Sequence, residues 1–559
     1  MMRRLAAVLF ALSTLASAPA QERFTGIEFE KGSGIAMKVT SHYDDIPPSG
    51  MLPIRIEVAN RSASPRRWDV LVMQSTPMQG ASSRLLASVE VPARSERSFE
   101  LLAPLLTQGE AYRYSTVSVS ISGYGVRNPI ASINGNSSGR PSAYTGVSKT
   151  LYADVWEHVR DRLQKKSLNL NGSSLDLLWL PDDWRALAGF DKIVLTADDW
   201  LALAAEQRSA LSNWLILGGD LYLVGDPAIS GLPAAGRNGV GRVIYWPASG
   251  DLIALLSDVI EKGFASPSPM AGYSWSWKLV QLVGRPVPPF IALIAFIILF
   301  AVIVGPVNFL LFAPAGHRHR LFWTTPLISL SASILLILLI ILSEGFGGKG
   351  KYVTATMSLP SRNQTVIWQE QVSRTGVLAG QAFPVIPGST LSSLPLSDAS
   401  LGRRGERGKT FSLSGMTWSG DWFQSRRTQA QRIEAIAPSR ERVEIRGDEH
   451  APQALSTFGQ PLNNFFYFDN KGSVWFAAQL KPGKPRTLAP SSMEKFAAWK
   501  KINSMEAAGG VIKEVMKTFE IDPPNDKFFA AMESAPLPTL SSLKWTQAGG
   551  VVFGEVLRP

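Results

Sequence analysis

FIALIAFIILFAVIVGPVNFLLF, residues 290–312, and LFWTTPLISLSASILLILLIIL, residues 321–342, decide how this chain is laid out. Neither run contains a charged side chain, and each has the roughly 20 residues needed to cross hydrocarbon. Only residues 313–320 join them, so the two spans must form an antiparallel hairpin. The joining loop carries His317, Arg318, His319 and Arg320, which suits a cytoplasmic loop. Lys278, Arg285, Lys349 and Lys351 flank the opposite ends, so charge alone does not fix the orientation. His317 and His319 have no third ligand in reach of the pattern and read as loop charge rather than a metal site. Pro306 and Asn308 interrupt the first span. An amide in hydrocarbon needs a partner, and a proline frees a backbone carbonyl. Two readings stay open for this pair: a kink satisfied inside the hairpin, or a contact with a partner subunit.

The chain begins MMRRLAAVLFALSTLASAPAQ. Arg3 and Arg4, a short apolar run from Leu5 to Leu15, and small residues at Ala18 and Ala20 make residues 1–20 read as a secretory signal peptide. Export would put the following residues outside, and two spans would return the chain outside. The expected location is the bacterial inner membrane, with the N- and C-terminal domains outside the cytoplasm.

Over 559 residues the composition is 45% hydrophobic and 18% charged, which is globular material with room for several domains. The absence of cysteine excludes disulfides, thiolate metal sites and cysteine nucleophiles. The net charge is +11, and basic residues are densest from Arg403 to Arg446. Such a stretch attracts acidic glycan or anionic lipid, although interleaved Glu406, Asp421, Glu434, Glu441 and Glu444 favour an ordinary solvated face. No nucleic-acid recognition motif accompanies it. No P-loop, zinc-helix or dinucleotide motif occurs, so no cofactor and no metal are expected.

Residues 25–127 alternate in short strands such as MLPIRIEVAN and RLLASVEVPA, separated by turn residues, and predict a β-sandwich. From residue 128 to 265 the period changes. LYADVWEHVRDRLQ and EQRSALSNWLILGG read as helices, the latter stopped at Gly218 and Gly219, while LDLLWLP, KIVLTA, DLYLVG and RVIYW read as buried strands. Strands alternating with helices predict a doubly wound, flavodoxin-like α/β domain. Asp182, Asp183, Asp198 and Asp199 sit at strand ends, where turn and helix-cap roles are expected over acid–base or cation chemistry. Gly135, Ser137 and Gly139 match the spacing of a serine-hydrolase elbow, but the surrounding Asn, Ser and Gly residues and the following Pro141 make a loop.

The run from Pro181 to Gly225 resembles the class I glutamine amidotransferase-like domain of a group of bacterial envelope membrane proteins that share a signal peptide, a sandwich and a central two-helix hairpin. Pro181, Trp184, Leu187, Phe190, Asp191, Leu195, Asp199, Gln207, Trp214, Gly218, Gly219 and Gly225 carry the resemblance, with Gly305-Pro306-Val307-Asn308 as a second element. Enzymes of that fold use a cysteine and a histidine. This chain has no cysteine, and His158 is the only histidine in the α/β region, so the resemblance implies a fold without glutaminase chemistry.

Residues 345–559 predict an exported β-rich α+β domain. FFYFDNKGSVWFAAQ is a hairpin, helices are expected over 493–517 and around 526–531, and KWTQAGGVVFGEVLRP returns to strand. Trp418 and Trp422 are close enough in sequence to make an aromatic contact with a glycan or partner, against the plainer expectation of core packing. The leading expectation is a non-catalytic scaffold or accessory subunit whose partners are other envelope membrane proteins. The resemblance implies companions such as MoxR-type AAA+ ATPases with von Willebrand A-type proteins, or ABC-type transport systems. The alternatives are an envelope glycan hydrolase, and a subunit of an oligomeric transport or secretion apparatus.

Overall fold

Alternation along the first strands builds a two-sheet sandwich. In Ser82–Val91 the residues Leu85, Ala87, Val89 and Val91 are buried, while Arg84, Ser88 and Glu90 face solvent. Ile35–Ser41, Met51–Asn60 and Ser95–Pro104 form a three-stranded sheet facing a larger one that contains Arg66–Ser75, Ser82–Val91, Tyr114–Gly123 and Ile130–Asn136. Trp68 is fully buried between them. The computed structural model describes residues 27–558 except 76–81, 107–113, 137–142, 167–171, 266–272, 285–289, 397–407, 503–505, 522–524 and the single positions 44, 315, 345, 395 and 449. The expected signal peptide therefore lies outside the described residues. The chain is multidomain and strand-rich, with five sheets among the described residues.

Two boundaries differ from expectation. Ile130–Asn136 pairs with Tyr114–Gly123, so the sandwich runs past residue 127. The larger sandwich sheet is also completed from beyond the hairpin. Lys409–Ser412 pairs in parallel with Ser83 to Leu86, and Thr417–Gly420 and Phe383–Pro384 extend the sheet further. Residues 345–559 are thus not a self-contained unit. Sequence patterning sees strands, but it carries no information about which distant strand supplies a free edge.

The α/β sheet has the strands Gly172–Leu175, Thr145–Ser148, Lys192–Thr196, Asp220–Val224 and Gly241–Trp246 in parallel, in that spatial order, with Gly236–Asn238 antiparallel at the edge. By chain order this is 2-1-3-4-5, the doubly wound order of flavodoxin-like sheets. Lys149–Lys165 and Leu252–Ala265 cover one face through Leu151, Val155, Val159, Leu256 and Val259. Trp184–Leu187 and Ala205–Leu217 cover the other, where Trp214 donates from its ring nitrogen to the Phe190 carbonyl at 2.9 Å. That second face is pressed onto the sandwich. Tyr43 donates to the Ala186 carbonyl at 2.8 Å, and a side chain at Gly50 would stand 2.6 Å from the Gly189 nitrogen. LDLLWLP was expected as a strand, but only its first residue, Leu175, ends one. Asp176 accepts from the Leu178 amide and turns Leu177–Trp179 into a 3-10 helix.

The first span is α-helical over Phe290–Val302 and π-helical over Ile303–Phe312; the second is the helix Leu321–Glu344. Leu293–Phe312 has a mean hydropathy of 2.7 with 6% of it buried, and Arg318–Leu338 a mean hydropathy of 1.9 with none buried. Helices this apolar with their sides outward have the length and composition to cross a membrane. Gly348–Leu359 then leaves the second helix as the central strand of a large sheet, antiparallel to Gln364–Thr375 and parallel to Leu543–Leu557. Leu462–Phe468 and Val474–Leu480 form the expected hairpin. The helical expectation over 493–517 resolves into Met493–Ile502 and Gly510–Ile521. Residues 526–531 are strand, not helix: Lys527–Met532 fills the place between Leu462–Phe468 and Leu543–Leu557, so tertiary pairing overrides local propensity.

The segment just before the first span is locked into this sheet. Lys278–Val283 packs on it through Leu279, Val280 and Val283, and Trp277 donates to the Ala507 carbonyl at 2.8 Å. Beside them Glu370 is wholly buried. It accepts from the Tyr273 hydroxyl at 2.6 Å, from the Ile512 amide at 3.1 Å and from the Gly509 amide. Tyr273 in turn accepts from the Val511 amide at 3.1 Å. One carboxyl therefore joins the large sheet, the start of Gly510–Ile521 and the approach to the membrane. Burial pushes the Glu370 carboxyl up, against the pull of these donors. A carboxyl raised above its unfolded value, about 4.3, stabilises the fold fully below that value and loses this contribution as pH rises through the folded pKa. Thermal unfolding of the full chain should show stability falling with rising pH, and Glu370→Gln should flatten that fall. An unchanged slope in the variant would remove Glu370 as its cause.

Candidate functional site

In a doubly wound sheet, ligands bind outside the carboxyl ends of the strands, where the strand order reverses. Here that place lies between Thr145–Ser148 and Lys192–Thr196. Ser148, wholly buried, ends the first of these strands, and the helix Lys149–Lys165 starts there. The Ser148 and Thr150 hydroxyls are 2.9 Å apart, and Thr150 reaches Asp199 Oδ2 at 3.1 Å. Asp199 accepts from the Thr196 amide at 2.9 Å, and Thr196 accepts from the Asp199 amide at 2.9 Å, which is a reciprocal cap on Ala197–Ala202. Lys149 pairs with Asp176 at 3.0 Å. Asp183 caps Trp184–Leu187 and holds Arg185 at 2.6 Å. Asp182 and Asp198 are exposed. The acidic residues thus divide into two helix caps and two solvated side chains, rather than a facing acid–base pair.

The resemblance residues are fold-bearing. Trp184, Leu187, Phe190, Leu195 and Trp214 are buried, and Gln207 bonds the Ala204 amide and the Leu177 and Leu180 carbonyls. His158 is exposed on the helix Lys149–Lys165, ten residues past Ser148, about 15 Å along the axis. Gly135 and Asn136 of the hydrolase-like spacing lie at the end of a sandwich strand, and the serine lies outside the described residues.

Within the hairpin, Asn308 is wholly buried and its amide donates to Thr325 Oγ1 of the second helix at 3.0 Å. The Asn308 carbonyl accepts from the Ala313 amide at 3.0 Å, a five-residue step that belongs to the π-helical turn around Pro306. Of the two readings open for Asn308, this bond satisfies the amide nitrogen inside the hairpin, while among the described residues the side-chain oxygen has no hydrogen-bond partner. Pro306 acts through the backbone, setting the wide turn that brings Asn308 inward. A cleft of about 410 Å³ also lies between the helices, lined by Phe296, Phe300, Thr324, Ile328 and Leu335 among others.

Trp418 and Trp422 are both 2% exposed. Trp418 stacks on Phe411 with ring centres 4.6 Å apart and meets Trp422 edge-on at 5.1 Å. Both rings pack in the core where the extra sandwich strands join and are not presented on the surface to a glycan or partner. The basic stretch also divides. Arg432 pairs with Glu434 at 3.4 Å, Arg442 and Arg446 flank Glu444, and Lys409 lies over the Trp422 ring. Arg403, Arg404 and Arg407 fall outside the described residues. Arg426 and Arg427 instead line a cavity with Lys349 and Arg374. Sequence reading placed Lys349 only as a flank and gave Arg374, Thr325, Tyr273 and Glu370 no role. Charge and hydroxyl placement near the span ends was the available signal, and strand register was the missing information.

The chain matches no protein-family model and no curated protein. Among solved structures it is similar to a protein from Archaeoglobus fulgidus, at 11% identity and a TM-score of 0.13, over 18% of this chain and 98% of that one. It is also similar to Bacteroides uniformis beta-glucuronidase 2, at 14% identity and a TM-score of 0.16, over 35% of this chain and 24% of that one. The yeast delta-COP-I mu-homology domain is a third, at 7% identity and a TM-score of 0.18, over 37% of this chain and 94% of that one. Likenesses at such scores carry no argument about fold or function.

The Asn308–Thr325 bond makes a measurable prediction. Interhelical polar contacts in membranes are worth about 0.6–2 kcal/mol. A double-mutant cycle with Asn308→Leu and Thr325→Val, read by unfolding in micelles, should give a coupling of that size, with particle size on native gels unchanged. Additive losses would remove the bond from the account.

Proposed function

We propose that this chain is a non-catalytic envelope membrane protein, a scaffold or accessory subunit that holds one large folded assembly on a two-helix membrane hairpin. The observation that carries this reading is the parallel pairing of Ser83 to Leu86 with Lys409–Ser412. The strand before the hairpin and the strand after it are direct neighbours in one sheet, about 4.8 Å apart as paired strands are, so they occupy one side of any bilayer the hairpin crosses. An even number of spans and a basic joining loop fit an outward-facing assembly, with both termini outside the cytoplasm. The α/β domain is read as amidotransferase-like in order and in its fold-bearing residues. Without cysteine it can form no thiolate nucleophile.

The hairpin supports a role in assembly. Away from the Asn308–Thr325 bond and the cleft between the helices, apolar side chains point outward, with Ile291 87%, Leu311 73%, Phe322 78% and Trp323 75% exposed. Lipid covers such a surface, and so do the spans of other envelope membrane proteins. In this reading the partners are membrane proteins of a MoxR-type ATPase and von Willebrand A-type system or of an ABC-type transport system. That partner class rests on the resemblance of the α/β domain and the Gly305–Asn308 element.

Two measurements test the reading. A reporter active only in the cytoplasm should be silent when fused after Pro559 and active when inserted between Pro314 and Gly316. The opposite pattern would invert the topology. Tagged full-length chain, solubilised from its native membranes, should co-purify a second membrane protein in fixed ratio. Recovery as a lone particle at every detergent and salt condition would contradict the subunit role.

A further inference from the structure

A cavity of about 310 Å³ opens where the second membrane helix feeds the large sheet. Four cationic side chains line it, Lys349, Arg374, Arg426 and Arg427, together with Thr375 and Thr428. Among the described residues no carboxylate lines it. Strand register creates the cluster. Lys349 lies directly opposite Arg374 on one side and Lys544 on the other, and Arg374 lies opposite Thr428, next to Arg427. Three cations, Lys349, Arg374 and Lys544, thus stand in one row across the sheet.

The cavity is built rather than incidental. Arg426 takes a left-handed backbone, φ 60°, with its amide bonded to the Gly376 carbonyl at 3.0 Å. Thr375 bonds the Gln424 carbonyl and accepts from the Arg427 amide at 3.0 Å, so both arginines stand on a braced turn. A side chain at Gly348 would collide with the Arg374 carbonyl, which keeps the floor closed. The Thr428 hydroxyl is buried and, among the described residues, has no hydrogen-bond partner.

Its position decides what fills it. The second span ends at Glu344 and Lys349 follows five residues later, a reach of at most about 18 Å. Phe346 between them is 75% exposed, and Gly347 is tied to Val377 and Gly376 at the cavity wall. Arginine and lysine donors at that depth meet lipid headgroups, and charge-assisted bonds to phosphate are among the strongest available to them.

We propose that this cavity binds the phosphate of an anionic phospholipid headgroup, which seats the large sheet on the bilayer. The proposal rests on the hairpin crossing the membrane. The phosphate bonds to Arg427 and Lys349, Thr428 donates the hydroxyl proton that now has no acceptor, and Phe346 lies beside the acyl-chain boundary.

Native mass spectrometry of the full chain in micelles doped with phosphatidylglycerol or phosphatidylcholine tests this directly. Phosphatidylglycerol should bind at least about tenfold more tightly, since each basic group near an anionic lipid contributes about a factor of five. Lys349→Gln with Arg427→Gln should remove most of that preference, and Arg97→Gln with Arg127→Gln, in the sandwich, should not. Thr428→Val, which leaves the charge intact, should weaken phosphatidylglycerol binding severalfold. Equal binding of the two lipids, or equal loss in the sandwich variant, would overturn the site. Displacement of the lipid by an equal concentration of inorganic phosphate would overturn its assignment to lipid. A chain that stays soluble without detergent would remove the membrane reading, and this site with it.

Discussion

Backbone pairing between Ser83–Leu86 and Lys409–Ser412 is the constraint on which this architecture depends. More than three hundred residues of chain and two apolar helices separate these strands, yet they share one ladder. A second tie lies in the segment before the first apolar helix, where Tyr273, Glu370 and the start of Gly510–Ile521 are joined by buried hydrogen bonds. Together these contacts turn what the sequence presents as three separate exported parts into one body standing on a hairpin. The α/β domain is held in that body by its packing against the sandwich rather than by a linker.

That constraint fixes what the hairpin has to do. Both of its ends are anchored, by Trp277 and Val280 before the first helix and by the Gly348–Leu359 strand after the second. Among the described residues the helices share a polar bond from Asn308 to Thr325, beside the wide turn at Pro306. A bond between neutral groups in hydrocarbon adds specificity of register more than strength. Each end of the hairpin thus lies close in sequence to a segment packed into the large sheet. The cationic row at the foot of the sheet is the polar counterpart of the hairpin's outward apolar surface.

Much of this was legible in the sequence. The spans, the alternating sandwich strands, three of the parallel α/β strands and the helix stop at Gly218 followed from period and from turn chemistry, whereas the strand Thr145–Ser148 was not foreseen. The acidic residues at strand ends were expected as caps, and Asp183 and Asp199 are caps. What stayed hidden depends on long-range register. Nothing local marks Lys409–Ser412 as a sandwich strand or Lys527–Met532 as a strand at all. Trp418 and Trp422 were expected in a core, but which core stayed hidden, because it forms where strands from the two ends of the chain meet. The cationic cavity was missed for the same reason: Lys349, Arg374 and Arg427 are scattered in sequence and meet only through pairing.

Because the chain has no cysteine, the central claim can be tested by a single engineered crosslink. Arg84 and Thr410 are register partners on the outer side of the shared sheet, and adjacent strands bring Cα atoms within disulfide range. Cysteines placed at these two positions, with a protease site inserted in the loop between the spans, make the measurement. After oxidation and cleavage in native membranes, a non-reducing gel should show the two halves as one full-length band that separates on reduction. Two separate halves under oxidising conditions, with both thiols open to a maleimide, would contradict the single body.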